Sequence, residues 1–288
     1  MSHAHFERYY QQIRGRQKRD AILSSLVLLA LYVIAGHYAE FSVAVVWKAI
    51  PHLFDYLGET LPVLHWPLLF ADGHTEGSLA YWGYRLHYQL PLVWETLNLA
   101  LAATVLSVAI ATVLSFLTAG NTGSHPIVRF SVRAIVAFMR TMPELAWAVM
   151  FVMAFGVGVF PGFVALALHT VGSLTKLFYE SLESASYKPV RGLAACGASR
   201  WQCMRFGLWP QVKPAFLSYS FMRLEINFRQ STILGLVGAG GIGQELINNI
   251  KLDRYDQVSL TLLLIIVVVA LLDNVSGMIR KRVVEGRQ

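Results

Sequence analysis

Six long apolar stretches follow one another along this chain, and most of its charged residues stand in the gaps between them. The stretches run from about Ile22 to Tyr38, Leu92 to Leu117, Ala134 to Phe160, Phe163 to Tyr179, Ala215 to Val237 and Val258 to Met278. A helix needs about 20 mainly apolar residues to cross the hydrocarbon core of a bilayer. The pattern therefore predicts an all-α, polytopic membrane protein with about six transmembrane helices. The third stretch is interrupted by Arg140, Pro143 and Glu144. Proline removes a backbone donor and charges are expensive in lipid, so a broken helix facing protein or a water-filled cavity is expected there.

The basic residues set the orientation. Arg8, Arg14, Arg16, Lys18 and Arg19 precede the first stretch, and Arg129 and Arg133 follow the second. Lys188, Arg191, Arg200, Arg205 and Lys213 follow the fourth, and Arg280, Lys281 and Arg282 close the sixth. Cytoplasmic loops carry the excess of Lys and Arg, which places both termini inside. The segment from about Glu40 to Gln89 then lies outside, with Asp55, Glu59, Asp72 and Glu76 against only Lys48 and Arg85. Within it, Val43 to Leu57 reads as an amphipathic helix at the interface, with Trp47, Trp66 and Trp82 as headgroup-level anchors. The expected organisation is a cytoplasmic segment at 1–21, a first membrane helix and outer segment at 22–90, and a membrane core at 91–282 with a cytoplasmic loop at 181–213.

Composition agrees with the pattern and removes several function classes. The 288 residues are 55% apolar and 14% charged, too apolar for an ordinary soluble domain. The net charge of +7 is spread over the inside loops rather than one soluble face, which argues against nucleic acid. Cys196 and Cys203 have no CxxC spacing and no His cluster beside them, so they read as reduced, structural thiols, and no metal or cofactor is expected. No Walker motif, HExxH or GxSxG occurs, so the chain is not expected to hydrolyse ATP itself. The run Gly238-Ala-Gly-Gly-Ile-Gly243 formally matches GxGxxG. It is followed by a membrane stretch instead of a βαβ unit, so dinucleotide binding is rejected. Gly238, Gly240, Gly241 and Gly243 are read instead as the flexible end of the fifth helix and the start of an outer gate helix.

The inside loop Gly192-Leu-Ala-Ala-Cys-Gly-Ala-Ser-Arg-Trp-Gln, continuing to Trp209-Pro210-Gln211, reads as a short helix, a turn and the start of the next membrane helix. This spacing resembles the EAA loop of bacterial ABC importer permeases, the coupling helix that docks on the ATPase subunit. Arg191 stands where that family usually has glutamate. Arg140-Thr-Met-Pro-Glu144-Leu-Ala-Trp147 and the segment from Asn227 to Gly243 resemble the corresponding segments of phosphonate permeases, and the resemblance runs from about Val93 to Arg282. It implies the type I ABC importer permease fold in the inner membrane, importing a phosphonate, phosphite or hypophosphite. It also implies a homodimer, a pair of ATPase subunits, and a periplasmic or lipid-anchored solute-binding protein. Ala194, Ala195, Gly197, Ala198, Ser199 and Arg200 would carry coupling, with Gly197 permitting close approach.

An anion crossing a low-dielectric path needs positive or donor groups, which singles out Arg140 and Arg229. Thr141, Asn227, Ser231 and Thr232 are secondary donors, and Glu144 belongs to the same segment. The structural alternative is that Arg140 pairs with Glu144 and Arg229 with Glu225, each one helical turn away. His169, inside the fourth stretch, is expected to hydrogen-bond a neighbouring helix. Competing readings are a permease for another small solute such as an amino acid, and a secondary transporter driven by an ion gradient through Arg140, Glu144 and His169. A membrane enzyme lacks a nucleophile with an adjacent base in any span.

Overall fold

The computed structural model describes residues 3–38, 43–62, 65–72, 75 and 77–285, and the chain divides into two compact units, 1–59 and 60–288. Glu40 and Glu76 of the outer segment lie outside the described residues. In the first unit, α1 (His3–Tyr38) contains the first predicted span and extends back through the basic N-terminal segment as one helix of 36 residues. The stretch read as amphipathic is α2 (Val43–Thr60), with Trp47 exposed.

In the second unit, prolines, glycines and caps set the helix ends. After a 3-10 turn at Trp66–Leu68 come α3 (Leu79–Trp82), capped by the Ser78 hydroxyl, and α4 (Leu86–Thr118). Trp82 is not simply a headgroup anchor. Its Nε1 donates to Asp256 O at 3.0 Å and to Ser259 Oγ at 2.9 Å, fixing α3 to the start of the last helix. The expected break is present: α5 (Pro126–Thr141) and α6 (Glu144–Phe155) meet at 89°. Met142, ahead of Pro143, is extended because proline disfavours the helical region for the residue before it. Next are α7 (Val159–Ser184), α8 (Lys188–Ala195), α9 (Arg200–Gln202), a π-helical turn at Cys203–Leu208, α10 (Trp209–Leu234), α11 (Gly241–Lys251) and α12 (Tyr255–Glu285). No strand occurs among the described residues.

Ile13–Tyr38, α4 and Tyr255–Arg282 are long and apolar enough to cross a bilayer, and the bent α5–α6 pair would make a fourth span. The fourth and fifth expected spans are α7 and α10. Each has 26 residues, hence about 39 Å of length, but both carry polar side chains for the interior of the bundle. α7 is the central helix and packs most extensively on α4. Ala100, Ala103 and Ala111 of α4 are fully buried, as are Ala165, Leu166, Leu174 and Phe178 of α7. Small residues let membrane helices approach closely where hydrophobic burial gives little gain over lipid. Toward the C-terminal end of α7, the rings of Phe178 and Phe216 of α10 stack at 3.9 Å. Buried hydroxyls on α4 bond back along their own helix: Thr96 to Leu92 O, Thr104 to Ala100 O and Thr118 to Leu114 O.

Candidate functional site

The loop at 181–213 follows the predicted order of helix, turn and helix. α8 ends in a Schellman turn: Ala198 N donates to Leu193 O at 3.1 Å and Gly197 N to Ala194 O at 3.0 Å, with Gly197 at φ +82°. A Cβ on Gly197 would meet nothing within 4 Å. Its role within the chain is therefore the left-handed turn. Ser199 then opens α9 with a reciprocal cap to Gln202. Ala194, Ala195, Gly197, Ser199 and Arg200 are all exposed and Ala198 is half-buried, so the loop presents a small-residue surface outward.

Two contacts, unread in the sequence, tie this loop to α10. Val190 of α8 is 3% exposed and rests on Gly207, in the π turn that runs into α10. A Cβ on Gly207 would lie 3.1 Å from Val190 Cγ2 and 3.2 Å from both its Cα and N. The Gln211 side chain holds Ser186, just before α8, from both sides: its Nε2 donates to Ser186 O at 3.0 Å, and its Oε1 accepts from Ser186 N at 3.1 Å. At the end of α7 that leads into this loop, Glu183 pairs with Arg133 of α5 and accepts from Gly120 N at 2.7 Å.

Deeper in the bundle, Asn227 is fully buried. Its Oδ1 accepts from Thr170 Oγ1 of α7 and its Nδ2 donates to Thr104 Oγ1 of α4, each at 2.9 Å. Its amide is spent on fastening three helices, so within the chain it acts as a clamp. Beside it in α10 is Arg223, which the sequence reading passed over although an arginine within a span was the criterion applied to Arg140 and Arg229. Arg223 is 8% exposed. Its Nη2 donates to His169 Nδ1 at 2.8 Å and Ser173 Oγ at 3.3 Å, and its Nε has no partner. With Nδ1 accepting, the His169 proton sits on Nε2, 3.5 Å from Glu144 Oε2. The broken span, α7 and α10 are thus joined by a row of Glu144, His169 and Arg223. The expected link from His169 to neighbouring helices is present, whereas the Arg140–Glu144 pair is replaced by Glu144–His169.

Arg140 and Thr141 are exposed at the break, and Arg140 forms no ion pair among the described residues. Arg229 is exposed and pairs with Glu225, as the structural alternative had it. Ser231 is buried, and both it and Thr232 bond back to Phe228 O. The glycines at the junction of α10 and α11 are packed rather than slack, unlike the flexible helix end expected there. A Cβ on Gly243 would collide with Thr232 O, and one on Gly241 with Thr96 Oγ1. Gly238, Gly240 and Gly241 hold positive φ in the turn between α10 and α11.

The model of the binding-protein-dependent transport system inner membrane component family matches residues 111–285. The chain belongs to this family. It is a multi-pass membrane permease of the ABC importer class, which works with an ATPase and a solute-binding protein. Over 199 residues it is 40% identical to the phosphite transport system permease protein PtxC of Stutzerimonas stutzeri, covering 69% of this chain and 72% of that one. It is 29% identical to the putative phosphite transport system permease protein HtxC of the same organism, across 95% of this chain and 90% of the relative. Among solved structures, an inward-facing methionine ABC transporter, MetNI, has a TM-score of 0.58 at 22% identity, over 68% of this chain and 95% of its own. A bacterial ABC transporter that imports alginate has a TM-score of 0.58 at 14% identity, over 88% and 98%. These two share the fold.

Proposed function

We propose that this permease moves a phosphonate, phosphite or related small phosphorus oxyanion inward, as one of two identical copies that enclose a single path, with both termini in the cytoplasm. The observation that carries the mechanism is the seating of α8 on Gly207 and Gln211. The exposed loop from Ala194 to Arg200 is the surface an ATPase would grip, and α10 receives any displacement of it through backbone packing and a two-ended side-chain clamp. α10 in turn bears Arg223 and Arg229 and leads into the glycine turn toward α11. Closure of the ATPase pair draws the two α8 helices together and moves the α10 helices, opening the outer turn; hydrolysis reverses the movement and releases solute inward.

Arg140 and Arg229 support the pairing of two copies. A charged side chain within a span costs about 2.5–3.5 kcal/mol against lipid on insertion scales, so the faces carrying them meet protein or water. Those faces are assigned to the second copy and the path between them, where the exposed Arg140 guanidinium, which forms no ion pair among the described residues, suits an oxyanion. The solute class rests on the relatives described above, both of which carry phosphite transport in their names. Uptake into vesicles containing this chain, its ATPase and its binding protein tests the reading: phosphite or methylphosphonate should accumulate only with ATP on the ATPase side. Accumulation of an amino acid instead, or uptake driven by an ion gradient without the ATPase, would overturn it.

A further inference from the structure

Where α4 begins and α11 ends, Arg85, Glu245, Asn248, Asn249, Lys251 and Arg254 line an open cavity of about 310 Å³. Its charge is unbalanced, with three cations around one carboxylate. Glu245 is buried and already engaged: its Oε1 accepts from Asn249 Nδ2 at 3.2 Å and lies 3.4 Å from Arg85 Nη2. The other terminal nitrogen of Arg85, Nη1, is buried without a partner. Lys251 and Arg254 are exposed, and neither forms an ion pair among the described residues. One turn along α4 from Arg85, Gln89 is fully buried and both of its amide atoms are unpartnered.

The backbone that delivers Lys251 and Arg254 is itself specialised. α11 closes in a Schellman turn, with Arg254 N donating to Asn249 O at 3.0 Å and Asp253 N to Ile250 O at 3.2 Å. The left-handed position, normally given to glycine, is held by Asp253 at φ 52°, the one described non-glycine residue with positive φ. Strained backbone of this kind persists where the surroundings enforce it and gathers at binding sites.

We propose that this cavity is an oxyanion-binding subsite at the outer mouth of the permease, taking a small phosphorus oxyanion between its release from the binding protein and its entry into the path. The proposal rests on the import reading above, which puts α11 outside. Unpaired cations in a concave site focus the field and raise the local concentration of anions. Lys251 and Arg254 offer donors and charge from the open side, and Arg85, held by Glu245 and set over the Tyr88 ring at 5.0 Å, adds positive charge behind them.

The test uses the full permease–ATPase complex in detergent without binding protein, dialysed to equilibrium against methylphosphonate, beside the K251Q/R254Q variant. Both residues are exposed, so the fold is not at risk. The wild-type complex should retain methylphosphonate, and the variant should lower retention by about tenfold. No retention by wild type, or equal retention by both, overturns the proposal. So does a variant that loses affinity for the ligand-free binding protein while anion retention is unchanged, since the cations then meet that protein's carboxylates. Stimulation of the wild-type ATPase by loaded binding protein is read in parallel: if it persists, the import reading stands whatever becomes of the pocket.

Discussion

Replacing Gly207 by alanine is expected to uncouple this permease from its ATPase without preventing their assembly. The added Cβ would lie 3.1–3.2 Å from three atoms of Val190, and two of these are backbone, so no rotamer change relieves them. α8 must retreat by a few tenths of an ångström, and overpacking of this kind costs about 1–3 kcal/mol. A term of that size acting on one of two packed arrangements changes their ratio by about 5–150-fold. The assay is ATP hydrolysis by the purified complex with and without loaded binding protein. G207A should assemble in normal yield, keep basal hydrolysis and lose at least about fivefold of the stimulation. The added V190A change should restore only part, because it removes the Cγ2 contact and leaves the two backbone contacts. Full stimulation in G207A would refute the claim that α8 passes its displacement to α10 through this contact.

Other substitutions probe the remaining joints. Asn227→Ala strips Thr170 Oγ1 and Thr104 Oγ1 of a partner and should lower stability by about 1–3 kcal/mol, measurable as a lower thermal midpoint in detergent. Gly243→Ala sets a methyl group into Thr232 O and should abolish recovery of folded protein on fluorescence-detected gel filtration. Gly197→Ala strains a turn at φ +82° that touches nothing else in the chain, at about 1–2 kcal/mol; folded yield should be near normal while ATPase stimulation falls. Unchanged stimulation in that variant would remove the turn from the coupling path.

Much of this architecture was legible because bilayer physics writes it coarsely. Apolar length set the spans, Lys and Arg set the expected orientation, and Pro143 marked a break that the backbone realises as a bend of 89°. The fourth and fifth stretches each form one long helix, α7 and α10, although their polar residues keep them from qualifying as spans on apolarity. What escaped was the pairing of side chains across helices. Glu144 has a potential partner one turn away in Arg140, yet Pro143 turns the chain and Glu144 meets His169 of α7 instead. Arg223 lies in the same fifth stretch as Arg229, and only the fold shows that it, and not Arg229, is the buried arginine that meets His169. For the glycines at the junction of α10 and α11, composition cannot separate a glycine that bends from one that admits a neighbouring backbone, and only the contact of Gly243 with Thr232 decides between them. Gly207 was silent for the same reason: its meaning lies in Val190, which is 17 positions earlier.

The most direct test of the account is the ATPase activity of this chain, co-purified with its ATPase subunit in nanodiscs, measured with binding protein loaded with phosphite, methylphosphonate or phosphate. A stable complex whose hydrolysis is stimulated by a loaded form over the empty protein is the predicted result, and the form that stimulates names the solute. A stable complex that no loaded form stimulates would contradict the proposed solute class, and failure to hold the ATPase at all would contradict the coupling mechanism itself.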